Sequence, residues 1–113
     1  MTLLTAIATH LPAPLVERQL AYLRALSPRS RFVVCYGGDP SEFADLDPTD
    51  AVYIDDPSLR GPHFDKSLNQ LLNQLYEAFV RDEPDIEFVY LVEYDQLILT
   101  DDFDSKLVAL AQA

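Results

Sequence analysis

Residues 88–95 read Phe88-Val89-Tyr90-Leu91-Val92-Glu93-Tyr94-Asp95. A short apolar run, rich in aromatic and β-branched residues, leads into two carboxylates spaced one residue apart. A run of this length with no polar alternation is the pattern of a strand covered on both faces. Side chains at i and i+2 of a strand share a face. Glu93 and Asp95 are therefore expected to point one way at the mouth of a buried strand. Two hard oxygen donors there suit a divalent cation, Mg2+ or Mn2+, and such a cation would hold the phosphates of a nucleotide.

Working outward, the same kind of run recurs three times. Residues 3–9 are apolar with β-branched positions and end at His10 and two prolines, so a strand and then a turn are expected. Pro14 is well placed to open a helix, and Leu15, Val16, Leu20, Leu23 and Leu26 recur at helical spacing up to Ser27-Pro28. Residues 31–36 form a second strand, ended by Gly37-Gly38-Asp39-Pro40. One helical turn fits residues 42–46, and a short third strand fits 51–54. Asp65 is a good N-cap for a helix over 66–81, with Leu68, Leu71, Leu72, Leu75, Tyr76 and Phe79 as its apolar stripe. Residues 87–92 are the fourth strand. Thr100 or Asp101 caps a last helix whose apolar side is Leu107, Val108 and Leu110. The order β-α-β-(α)-β-α-β-α predicts an α/β fold. Its sheet is open, mainly parallel and four-stranded, with helices on both faces in a Rossmann-like arrangement.

The chain has 113 residues, the size of a single domain spanning residues 1–113. Nineteen acids against eight Lys and Arg give a formal net charge of −11. Nucleic-acid surfaces are basic, so DNA or RNA is not an expected partner. A phosphorylated ligand would need a cation, backbone N–H groups or one of the few bases. Cys35 is the single cysteine. It lies in an apolar run, reads as a buried hydrophobe and fits a reducing, cytoplasmic location. The N-terminus lacks the basic region of a signal peptide. No apolar run approaches the roughly 20 residues of a membrane helix, so membrane insertion is not expected.

In open parallel sheets, ligands bind outside the carboxyl ends of the strands. Those ends carry Thr9 and His10, then Gly37, Gly38 and Asp39, then Asp55 and Asp56, then Glu93 and Asp95. Arg60 and Lys66 flank the start of the long helix, where an anion can dock. No G-x-G-x-x-G or G-x-x-x-x-G-K-[ST] spacing is present, which sets aside nicotinamide-dehydrogenase and P-loop readings. Asp101, Asp102 and Asp104 lack the glycine and terminal glutamate of an EF-hand and read as a helix-capping cluster. No Ser/His/Asp or Cys/His arrangement emerges, so no catalytic residue is assigned. A phosphoryl-accepting receiver domain would need an acid at the end of the first strand, where Thr9-His10 stands.

Taken together, these residues resemble the N-terminal, nucleotide-binding half of a GT-A-fold glycosyltransferase. The first strand, ending at Thr9-His10, would reach the base pocket, and Asp39 at the end of the second would contact the nucleoside. Arg60-Gly61-Pro62-His63-Phe64-Asp65-Lys66-Ser67-Leu68-Asn69 is similar to the family's loop and helix with a basic residue. Tyr90-Leu91-Val92-Glu93-Tyr94-Asp95 is similar to the strand carrying its D-x-D motif, with Glu93 in place of the first Asp. The resemblance implies a nucleotide-sugar donor (UDP- or GDP-sugar) held through Mn2+ or Mg2+. Glu93 and Asp95 would be the metal ligands, and Arg60 or Lys66 the phosphate contacts. It covers about half of a family member. The acceptor-binding half and its base have no counterpart here, so a domain inactive on its own is expected. The alternative is a non-catalytic α/β interaction module that self-associates through an exposed sheet edge or face.

Overall fold

Leu3–Thr9 is buried at every position and forms the central strand, β1, of the sheet. In the computed structural model, residues 3–55, 68–96, 98 and 100–112 are described. Three further strands are β2 (Arg31–Tyr36), β3 (Ala51–Tyr53) and β4 (Phe88–Glu93). The helices are α1 (Ala13–Leu26), α2 (Pro40–Phe43), α3 (Leu68–Leu75) and α4 (Phe103–Gln112), and α3 runs on into a π-helical turn, Tyr76–Val80. The sheet order is β3-β2-β1-β4 and every pairing is parallel, which makes the fold α/β and Rossmann-like.

The helix placement follows from the strand order. From β1 the chain steps to β2 and β3, then returns past β1 to β4. Parallel crossovers are right-handed, so reversing the direction of winding moves the connecting helix to the other face. Ile7, Phe32, Val34 and Tyr36 accordingly pack against Ala13, Val16, Leu20 and Leu23 of α1, with Phe103 of α4. Leu4, Ala6, Ala8, Val33 and Cys35 pack against Leu71, Leu75 and Phe79 on the opposite face. The alternation along β1 and β2 sorts one set from the other.

β1 and β2 span the expected residues, while other elements shift. β4 begins and ends one residue later than 87–92. β3 is shorter than 51–54, although the Ile54 N–H still donates to the Tyr36 carbonyl at 2.8 Å. α2 starts earlier than 42–46, because Asp39 accepts from the Ser41 N–H at 2.8 Å and caps it. Leu15, Leu72 and Tyr76 do not join their stripes and are 43, 42 and 50% exposed. Each lies one position from a buried residue, about 100° round the helix. The expected cap Asp65 and the start of the 66–81 helix lie outside the described residues.

The last helix differs most from expectation. Phe103 anchors it, its ring centroid 6.1 Å from that of Phe32 and 6.3 Å from that of Tyr90, while Leu110 is 74% exposed. Its acidic cluster reaches backwards. The Ser27 hydroxyl donates to Asp104 at 3.0 Å, the Ser30 hydroxyl also donates to it, and the Asp102 N–H donates to the Leu26 carbonyl at 3.0 Å. Asp102 has φ 53°, a left-handed conformation that aspartate tolerates better than most residues. Among the described residues, no helix is long and apolar enough to cross a membrane.

Candidate functional site at the carboxyl ends of β1 and β4

The order β3-β2-β1-β4 reverses direction between β1 and β4. In open α/β sheets a crevice opens outside the carboxyl ends at such a switch point. A small cavity lies there, lined among the described residues by Ala8, Thr9, His10, Cys35, Leu71, Glu93 and Tyr94. The register explains its composition. Cys35 and Glu93 both pair with Ala8, and paired residues of parallel strands point to the same face, here the one that α3 covers. The volume of about 30 Å3 suits an ion or one or two waters.

Thr9 is buried, and its Oγ1 accepts from the Leu11 N–H at 3.2 Å. The His10 ring meets Tyr94 edge to face, with centroids 4.8 Å apart and planes at 80°. The Tyr36 hydroxyl donates to the Leu11 carbonyl at 2.7 Å, which pins the turn that carries His10. Burial pushes the Cys35 thiol up to about 12, so it contributes a wall and no nucleophile.

The two acids of the D-x-D-like motif are not related by strand alternation. β4 ends at Glu93, and Tyr94-Asp95 form a turn closed by the Gln96 N–H on the Glu93 carbonyl at 3.1 Å. The Gln96 side-chain oxygen accepts from the Glu93 N–H at 2.8 Å. This local bond competes with continued strand at that point. Glu93 lines the cavity, and Asp95 is exposed on the adjoining turn. Among the described residues, no three His, Cys, Asp or Glu side chains converge as a metal-binding group. A cation held here would therefore take one or two carboxylates and complete its shell with water and phosphate oxygens, as magnesium ordinarily does.

The start of α1 is closed to anions. Its first-turn donors are all accounted for: the Ala13 N–H donates to the Glu42 carboxylate at 2.7 Å, and Pro14 has no N–H. The Leu15 and Val16 N–H groups return to the Pro12 carbonyl at 2.9 and 3.2 Å. A phosphate at that helix end would have no backbone donor and would meet a carboxylate. Asp39 sits at the end of β2, where its carboxylate accepts from both the N–H and the hydroxyl of Ser41. Thus Thr9, His10 and Glu93 come together, Asp95 adjoins them, and Asp39 caps a different turn. Arg60 and Lys66 lie outside the described residues. Leu71, Cys35 and Tyr94 were not expected at the site. Tyr94, between the two acids, carried a usable sequence signal. Glu42, 29 positions from Ala13, carried none.

No family model, no curated protein and no solved structure matches this chain.

Proposed function

We propose that this chain is a glycosyltransferase-like domain that binds a nucleotide sugar, with UDP or GDP as its nucleotide, through Mn2+ or Mg2+ at the β1–β4 switch point. One observation carries the reading: the cavity at the point where the winding reverses has a carboxylate, Glu93, in its wall and another, Asp95, beside it. With the α1 N-terminus occupied by Glu42, phosphate affinity in an acidic chain needs another source of positive charge. A bound cation supplies it. Glu93 and Asp95 bind the cation, while Thr9 and His10 contact the nucleoside. Arg60 and Lys66 add charge to the phosphates. A nucleotide is far larger than the roughly 30 Å3 cavity, so the base and ribose lie along the mouth beside the His10–Tyr94 pair. No residue is assigned as a catalytic base.

Calorimetric titration of UDP and GDP, with and without MnCl2, tests the proposal. Binding that requires Mn2+ and is lost in Asp95→Ala and Glu93→Ala supports it. Both side chains are exposed, so neither substitution disturbs the core. Nucleotide binding that ignores the metal, or persists in both variants, refutes it.

Self-association through the sheet edge has one observation in its favour. β4 is the outermost strand beside β1, free of proline and lysine, with Val89 41% exposed. Light scattering that shows an obligate oligomer without nucleotide binding would favour this second reading.

A further inference from the structure

Two open grooves adjoin on the α1 and α4 side of the sheet, with Ile98 as their shared wall. One, of about 340 Å3, runs along α1 past Leu15, Arg18, Tyr22 and Tyr94. The other, of about 360 Å3, lies between β4 and α4 and is lined by Tyr90, Phe103, Lys106, Leu107 and Leu110. The Tyr22 hydroxyl donates to the Ile98 carbonyl at 2.5 Å, so the shared wall is tied to α1 and the surface is preformed. Leu15, Tyr22, Tyr94 and Leu110 are 40% exposed or more. That is an unusual concentration of large apolar side chains at one site.

The charge pattern names the occupant. The chain carries nineteen Asp and Glu residues, yet among the described residues none lines either groove, and each groove holds one base, Arg18 or Lys106. Arg31 and Arg81 are ion-paired; Arg18 and Lys106 form no ion pair among the described residues. A helix or extended segment needs only one face covered. We infer that these two grooves dock an apolar segment of another protein that carries two carboxylates, one paired with Arg18 and one with Lys106. A second copy of this chain fits less well, because two bodies of net charge −11 repel.

A random 16-residue peptide library, displayed on phage and selected on the full chain, supplies the probe. Enriched peptides are then synthesised and titrated by fluorescence anisotropy. Expected are apolar sequences with two Asp or Glu. Arg18→Glu and Lys106→Glu should each weaken binding about tenfold, and Leu110→Asp should weaken it too. All three side chains are exposed, so the variants fold. Three results overturn the inference: no enrichment, enriched peptides without acids, or affinities unchanged by both charge reversals. A dimer in sedimentation velocity that Arg18→Glu and Leu110→Asp dissociate would also overturn it, assigning the surface to a second copy.

Discussion

Replacing Gly38 by alanine would set a Cβ 2.5 Å from the Tyr36 hydroxyl, 2.6 Å from the His10 carbonyl oxygen and 2.7 Å from Tyr36 Cζ. Gly38 has no positive φ, so space, and not backbone freedom, explains the glycine. The His10 backbone belongs to the turn that carries the site and the Tyr36 ring is packed in the core at the end of β2, so neither is the loose end of a flexible chain. Overpacking of this kind costs about 1–3 kcal/mol. Displacing Tyr36 also endangers its 2.7 Å hydrogen bond to the Leu11 carbonyl, worth about 1 kcal/mol. Alanine recovers about 0.5–1 kcal/mol by restricting the unfolded chain. The expected net loss is about 1–3.5 kcal/mol, or about 4–14 °C in Tm for a domain of this size. Urea unfolding followed by circular dichroism measures it. Removing the hydroxyl in Tyr36→Phe relieves one of the three contacts, so the double variant should lose about 1 kcal/mol less than the two single losses combined. A Gly38→Ala protein within 0.5 kcal/mol of the parent, or strict additivity with Tyr36→Phe, would refute the close approach.

Other substitutions probe the packing and the latch on α4. Burial pushes the Asp104 carboxyl up, but hydrogen bonds from the Ser30 hydroxyl, the Ser105 N–H and the Ser27 hydroxyl outweigh it and hold the group below the ordinary 3.8. A lowered folded value adds stability that is present above the unfolded pKa and lost as pH falls through the folded one. Asp104→Asn should therefore cost about 1–2 kcal/mol at pH 7, and its gap to the parent should shrink below about pH 4, read from urea midpoints at pH 7 and pH 3. Cys35, its thiol pushed up to about 12 by burial, should resist a disulfide thiol reagent at pH 8 in the folded protein and react at once in denaturant. Leu71→Ala should cost about 2–5 kcal/mol by opening a cavity, whereas Leu72→Ala, one position along on the exposed side, should stay within about 1 kcal/mol in the same assay.

What could be read in advance follows the range of the interactions. β1 and β2 matched residue for residue because each is a continuous apolar run between strong turn residues, a purely local signal. The parallel α/β class followed from the alternation of such runs with helical stripes. The shared strand face expected of Glu93 and Asp95 is absent because the chain turns after Glu93, where the Gln96 side chain accepts from the Glu93 N–H. Gly38 read as loop punctuation, while its contacts with Tyr36 and His10 make it a spacer. The Glu42 carboxylate on the Ala13 N–H and the hold of Ser27 and Ser30 on Asp104 join residues 29 to 77 positions apart. Only the folded chain brings these together. At the site, Thr9, His10 and Glu93 were legible as strand ends. Leu71 and Cys35 look like core in the sequence and became part of the wall through register and helix packing.

The most direct test of nucleotide binding at the switch point is paramagnetic broadening in amide spectra of the 15N-labelled chain, titrated with MnCl2 in the presence of UDP or GDP. Broadening that falls first and most strongly on the His10, Glu93, Tyr94 and Gln96 signals is expected, at manganese levels where Ser105 still keeps most of its intensity, with recovery of the signals in Asp95→Ala. Absence of broadening, or broadening spread evenly over exposed acids such as Asp45, Asp82 and Asp101, would contradict it.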